Sequence, residues 1–338
     1  MIVLIDAGNT RVKFGWLKPD TGERETVALA LHHASLDQLN GWLAQLPVRP
    51  AAAIGVNVAG EAVAARLQTL LAKHTGPIAW ISSQRQSAGL RNAYRSPGQL
   101  GADRWVSLIG LARRVDAPAR ASAPAQPGTA QWLDPAREPA ADAQPAQAAT
   151  GRLPLMLATF GTATTLDTLI PAAGMPEQGE SPPSGAATVA AGPSTESGHP
   201  AVQPVDWVFP GGLIFPGPAL MNAALAQGTA NLPHASGDMA DYPDHTHQAI
   251  ATGIAAAQAG AVMRQWLLGL ERYGQAPRVY SAGGGWPAVQ EETQRLLAAL
   301  QTRLGLPSAP IEWLATPVLD GLAGLAGSAA LASVRDGL

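Results

Sequence analysis

The sequence predicts an α/β fold of two related halves, each a mixed sheet flanked by helices, on the strength of three observations. The chain opens with a short apolar strand, a small polar turn and a second strand, at Ile2–Ile5 and Val12–Leu17. The same grammar returns at Leu155–Thr159 and Thr165–Ile170. Helical and strand patterns alternate after both hairpins, so the echoed unit reads as a duplicated βββαβα.

In the first half, helical periodicity covers Ser35–Leu46 and Glu61–His74, with buried strands near Ala51–Asn57 and Pro77–Ile81. In the second, helices are expected at Pro218–Gln227 and His247–Tyr273, and a strand at Arg278–Ser281 runs into the glycine run Gly283–Gly285. Two stretches break the pattern. Residues 116–151 are rich in Ala, Pro, Gln and Asp, and residues 171–204 in Pro, Gly, Ser, Ala and Glu. Neither carries enough large apolar residues to offset the entropy of ordering, so both read as low-complexity insertions. The expected organisation is therefore a domain over 1–115, an insertion over 116–151, and a domain over 152–338 interrupted at 171–204.

Composition narrows the function. The 338 residues carry a formal charge of −3, which gives no broad electrostatic grip on nucleic acid or an acidic membrane surface. There is no cysteine, so disulfides, thiolate metal sites and cysteine nucleophiles are excluded, which fits a cytoplasmic protein. The apolar start, Met1–Ile5, is too short for a signal segment. Ala255–Leu270 and Pro317–Val334 are interrupted by Arg264 or Asp320 and by glycines, and read as buried helices.

Three segments carry chemistry. In the first turn, Asp6-Ala7-Gly8-Asn9-Thr10, glycine permits close approach of a ligand and successive N–H groups can cradle an anion. Asp6 is a hard oxygen ligand suited to Mg²⁺ through water, and Lys13 on the next strand can balance phosphate charge. The bland reading is a polar-tipped hairpin. The second turn, Phe160-Gly161-Thr162-Ala163, repeats this design; Asp167 beyond it reads as a turn cap or as the orienter of a metal-bound water, the cap being preferred. The third, Gly98–Trp105, places Asp103 and Arg104 before an apolar helical run. Alone it reads as a helix cap with a salt bridge. Phosphoryl transfer to an alcohol, however, needs a carboxylate to accept the hydroxyl proton, and Asp103 qualifies. Arg104 can bind a carboxylate or phosphate bidentately, and Tyr94 can line the same pocket.

Other nucleotide motifs are missing. No lysine follows a glycine as in a P-loop, and no G-x-G-x-x-G follows a strand. His245 and His247 read as a solvated helix start, and with His234 do not make a zinc pattern. The glycine run after Ser281 suits either close approach to a flat ligand such as adenine or a tight strand-to-helix turn.

In order, Asp6–Thr10 with Lys13, Tyr94, Gly101-Ala102-Asp103-Arg104, Gly161–Ala163, Gly211–Gly217, Thr229–Pro233, Gly283–Gly285 and Asp320–Leu322 resemble the type III pantothenate kinases. The resemblance covers most of the chain outside the two insertions. It implies the actin-like (ribonuclease H-like) fold of the acetate and sugar kinases, with an ATP cleft between two related domains. It implies transfer of the γ-phosphoryl of ATP, with Mg²⁺, to the 4′-hydroxyl of pantothenate, the first step of coenzyme A biosynthesis. Carried over by motif, Asp103 is the general base; Asp6, Ala7, Gly8, Asn9, Thr10, Arg11, Val12, Lys13 and Thr162 contact ATP; Tyr94, Gly101, Ala102, Asp103 and Arg104 contact pantothenate. Thr229 would reach the substrate of a neighbouring subunit, making the enzyme a homodimer with shared active sites. The family also uses a monovalent cation, K⁺ or NH₄⁺, held by an aspartate where this chain has Thr159; that site is either lost or rebuilt from backbone carbonyls and Thr159. Two other readings compete: a non-catalytic, nucleotide-binding regulatory accessory protein of the same fold, and a kinase for another small hydroxylated substrate.

Overall fold

The computed structural model describes residues 1–116, 152–174 and 205–327, so most of both expected insertions, and the end of the apolar stretch beyond residue 327, lie outside the described residues. The first sheet is built from β1 (Ile2–Ala7), β2 (Arg11–Leu17), β3 (Leu29–His32), β4 (Ala52–Asn57) and β5 (Ile78–Trp80), in the order β3-β2-β1-β4-β5. Its first three strands form an antiparallel meander, and β4 and β5 then run parallel to β1. Parallel strands need a crossover, and α1 (Leu39–Ala44) and α2 (Glu61–Leu71) provide it. Leu39, Leu43, Leu67 and Leu71 bury themselves against Val3, Ile5 and Phe14 on one face of this sheet.

The second sheet repeats the plan. It contains β8 (Leu155–Phe160), β9 (Ala163–Pro171), β10 (Trp207–Pro216), β11 (Arg278–Ala282) and β12 (Glu312–Trp313), ordered β12-β11-β8-β9-β10. Three strands again form a meander, and two again follow in parallel. Helix α4 (Pro218–Gly228) follows β10; α5 (Thr246–Tyr273) and α6 (Gln290–Arg303) join the parallel strands, and their Val262, Trp266 and Leu297 pack with Met156 and Phe160. This is the duplicated, mixed-sheet, actin-like topology that the sequence predicted.

Two features cross the expected boundary near residue 115. The short strands β6 (Gln86–Ser87) and β7 (Leu90–Asn92) extend the second sheet, with β7 pairing to β10 in parallel. Between the sheets lie α3 (Ala102–Asp116) and α7 (Pro317–Ala326), and one core cluster joins Leu4 and Ile54 of the first sheet to Leu157, Leu169 and Phe209 of the second through them. The two helices touch backbone to backbone. A Cβ on Gly110 would stand 2.5 Å from the Pro317 carbonyl oxygen, and one on Gly321 2.0 Å from that of Val106. Trp105, Val106, Ile109, Leu319 and Leu322 are wholly buried there, each contributing roughly 1.5–3 kcal/mol. This packing fixes the N-terminus of α3, and hence Asp103, relative to both sheets.

Candidate active site

The first hairpin places its expected residues on two sides. Asp6 and Lys13 are opposite one another in the β1–β2 register and share a face. Ala7 and Val12 point the other way and are fully buried, so only their backbone can serve a ligand. The tip is closed by the Gly8 N–H, which donates to the Arg11 carbonyl at 3.1 Å, and leaves Asn9, Thr10 and Arg11 exposed. The second hairpin closes one residue more tightly, Gly161 N–H to Ala163 carbonyl at 3.0 Å, with Thr162 at its exposed tip. The two tips meet: the Thr10 and Thr162 hydroxyl oxygens are 2.9 Å apart.

Glycines let other segments press onto the second tip. The Gly217 N–H donates to the Thr162 carbonyl at 2.9 Å, and a Cβ there would lie 2.1 Å from the Gly161 oxygen. Gly283, at φ +91°, approaches Phe160 so closely that a Cβ would meet its carbonyl oxygen at 2.3 Å. Gly285 N–H bonds to that same oxygen at 2.8 Å. The glycine run is thus the tight strand-to-helix turn of the bland reading at Gly283 and Gly285, and only Gly284 faces open space.

Asp103 stands in the first turn of α3, where one of its oxygens accepts the Arg104 N–H at 2.8 Å. Gly101 leaves the room that this carboxylate needs, and Ala102 opens the helix. Arg104 does not pair with Asp103. Its Nε and Nη2 donate to the two oxygens of Asp167 on β9, at 3.1 and 2.5 Å, and Nη1 faces the Tyr94 hydroxyl at 3.4 Å. The Phe209 ring lies under both partners, 5.8 Å from the guanidinium carbon and 5.4 Å from the Tyr94 ring centre. Asp167 is therefore neither a turn cap nor the orienter of a metal-bound water; its carboxylate, 1% exposed, is gripped by Arg104 and also takes a hydrogen bond from the Thr165 side chain.

Electrostatics tie these groups together. Burial pushes the Asp6 carboxyl up to about 6, Lys13 opposes the shift, and the negative Asp103 adds to it. Burial also raises Asp167, against the pull of Arg104, and Asp103 again adds to the rise. Burial works to lower Arg104, yet its bonds to Asp167 leave it raised. Asp103 thus lies within electrostatic reach of one carboxylate on each hairpin.

The remaining expected residues are more scattered. Thr229 ends α4, its hydroxyl spanning the Leu225 carbonyl at 2.8 Å and the Leu232 N–H at 3.2 Å. Eleven helical residues, about 16 Å, separate it from Gly217 and the second tip. Thr159 lies half-buried on β8 between Ala282 and Thr165, offering a neutral hydroxyl. His245 caps α5, as a solvated helix start should. Among the described residues no three His, Asp or Glu groups gather as a metal cage. Mg²⁺ carried by phosphates and waters, with Asp6 at its edge, fits that donor set.

A family model described as type III pantothenate kinase matches residues 2–134 and 202–267. A type III pantothenate kinase of Bordetella bronchiseptica is 45% identical over 328 residues, covering 96% of this chain and 97% of its own. That of Bordetella petrii is 44% identical over 96% and 97% of the two chains, and that of Aromatoleum aromaticum 32% identical over 96% of each. Among solved structures, a glucokinase from an Antarctic psychrotroph aligns over 97% of this chain and 99% of its own. At 12% identity and a TM-score of 0.38 that likeness is too distant to bear on function.

Proposed function

The chain belongs to the type III pantothenate kinase family, and on that premise we propose that it moves the γ-phosphoryl group of ATP to the 4′-hydroxyl of pantothenate. The observation that supports the reading is a pair of hairpins whose tips touch through Thr10 and Thr162, with the charge of Asp103 at the start of α3 felt by Asp6 on one and Asp167 on the other.

Phosphoryl transfer asks the protein for positioning and charge balance more than for covalent chemistry. The backbone N–H groups of the two tips, with the Thr10 and Thr162 hydroxyls, cradle the phosphates, and Lys13 offsets their charge. Bound Mg²⁺ would neutralise charge on the phosphate oxygens, with Asp6 holding it through water. Asp103 accepts the alcohol proton as oxygen bonds to the γ-phosphorus and the bond to the β,γ-bridging oxygen breaks. ADP departs and the proton stays on the carboxylate. Tyr94 and the Nη1 edge of Arg104, which meets the Tyr94 hydroxyl, face pantothenate. At Thr159 one neutral hydroxyl replaces a carboxylate, so K⁺ or NH₄⁺ is expected to stimulate turnover only weakly.

The enzyme acts as a homodimer. Thr229 lies a helix length from its own chain's second tip, which supports a role in a neighbour's site. Beside it, Met221, Leu225, Leu232, Ile250 and Ile254 line an open apolar groove of about 650 Å³. Ala249, Gly253, Ala256 and Ala257 of α5 are exposed nearby, small enough for a close helix contact. No helix among the described residues is long and apolar enough to cross a membrane.

The test is ADP release with purified protein. Release should require both pantothenate and Mg²⁺ and change less than about threefold between K⁺ and Na⁺ buffers. Pantothenate-independent release, or none under any of these conditions, sinks the reading. Mixing an Asp103→Asn chain with a Thr229→Arg chain tests the sharing: a mixed dimer holds one intact site, so the mixture should exceed either variant alone.

A further inference from the structure

Arg104 has two carboxylates to choose from. Asp103 is its neighbour in sequence, and Asp167 lies across the core on another strand. The guanidinium gives Nε and Nη2 to Asp167, and Asp103 receives only a backbone N–H from that residue. The arrangement is costly to build. Both charges are buried, Arg104 at 8% and Asp167 at 1% exposure, and the desolvation penalty of such a pair can exceed its Coulombic gain. It also dictates a glycine on the adjacent strand: a Cβ on Gly212 would stand 2.2 Å from the Asp167 Oδ1 and 2.9 Å from the Arg104 Nη2. An apolar pair of similar volume would hold α3 on β9 without that desolvation. What it would not do is leave Nη1 aimed at the Tyr94 hydroxyl, over the Phe209 ring.

We propose that Asp167 is a positioning residue for phosphoryl transfer, which turns Arg104 away from Asp103 and presents its Nη1 together with the Tyr94 hydroxyl to the acceptor alcohol substrate. It touches neither substrate nor reacting atoms and acts through Arg104; its other hydrogen-bond partner, the Thr165 side chain, is two residues away on the same strand. A bidentate grip fixes the plane of the guanidinium as a single hydrogen bond would not. Without Asp167, the Arg104 guanidinium is no longer held in the plane that this grip sets. The acceptor then loses two oriented groups, while the tips that hold ATP are unchanged.

The proposal rests on the kinase reading above, and one assay separates the two. Wild-type turnover of pantothenate tests the reading, and the variants test Asp167. In Asp167→Asn the KM for pantothenate should rise about tenfold or more, the loss of roughly one charge-assisted pair of hydrogen bonds, with the KM for ATP within twofold of wild type. A merely structural role would lower the melting temperature and degrade both constants together. Equal changes in the two KM values, or an unchanged pantothenate KM, overturn the proposal. Because Asp167→Asn strands a buried guanidinium and can unfold the chain, Arg104→Gln is compared with Arg104→Gln/Asp167→Asn, in which no buried charge is left alone. If Asp167 works only through Arg104, these two share a pantothenate KM within twofold. A further fivefold rise on adding Asp167→Asn shows that Asp167 acts by another route, and the proposal fails.

Discussion

In the first hairpin Asp6 faces Lys13 across the strand pair, whereas in the second the residues facing one another are Thr159 and Thr165, both neutral. The backbones otherwise correspond in plan. Gly8 and Gly161 each close a tip by an N–H to carbonyl bond, the first to Arg11 three residues on and the second to Ala163 two residues on, and a Cβ on either would meet that carbonyl oxygen at 3.2 or 3.3 Å. The second hairpin does have a carboxylate, Asp167, but further along β9 and sealed against Arg104. The two halves therefore share a glycine-closed strand–turn–strand plan, with tips of different length and charge in different places. The first half carries its charges at the tip, where phosphate and metal arrive. The second carries its charge in the core, where it orders α3. Asp103, at the start of that helix, belongs to neither hairpin and serves both.

Removing that shared group should have the largest effect. In Asp103→Asn, kcat is expected to fall by about a thousandfold, within the range lost with a general base, while ATP affinity stays within twofold. Steady-state kinetics beside a nucleotide-binding titration measure this, and a kcat within tenfold of wild type removes Asp103 from the role of base.

Next comes the way each tip is held. The first is held from outside by a side chain, with His33 Nε2 2.9 Å from the Gly8 carbonyl oxygen, but the second is pinned by the backbone of Gly217, whose Cβ would run into two carbonyl oxygens at 2.1 and 2.8 Å. Backbone atoms cannot swing aside as side chains do. Gly217→Ala should cost about 1–3 kcal/mol of stability and raise the KM for ATP severalfold. Gly8→Ala, with a single oxygen at 3.2 Å, should cost less than half as much. Denaturant melts decide it, and equal losses would mean that the second tip has no special dependence on its neighbour.

Much of this frame is legible in the sequence, for reasons that separate what is local from what is not. Each hairpin reads clearly because an apolar strand, a Gly-containing turn and a second strand are contiguous. β10 hides: Pro210, Gly211 and Gly212 resemble a loop, and the register slips between Val208 and Gly211. β6 and β7 are too short to leave a periodic trace, and no local pattern joins them to β10. The glycines 211, 212 and 217 were visible as a motif, but their cause, a carboxylate and a tip pressing from other strands, is a matter of contact. The role of Asp167 is hidden for the same reason. From its neighbours it looks like a turn cap, and its partner lies 63 residues away. A buried acid on a strand opposite a glycine was the available signal.

The smallest predicted effect is the most direct test of the charge difference between the hairpins. Burial raises Asp6 from an ordinary carboxyl value of 3.8 to about 6. Below pH 3.8 the group is protonated in both folded and unfolded chains and costs nothing. Between there and about 6 the unfolded chain ionises first, so folded stability falls as pH rises, and above that the penalty is constant. A shift of this size corresponds to an upper limit of about 3 kcal/mol, and because the Asp6 side chain keeps some contact with solvent about 1–2 kcal/mol is expected. Without nucleotide, Asp6→Asn should therefore match wild type at pH 3.5 and become the more stable protein by about that amount at pH 8. Thr159→Asp makes the converse test. It installs a half-buried carboxylate on the second hairpin without a lysine opposite, so it should lose stability over the same pH range and gain K⁺ stimulation of turnover. If Asp6→Asn instead tracks wild type from pH 3.5 to pH 8, the carboxylate of the first tip is not buried in solution, and the two hairpins differ in composition but not in electrostatic cost.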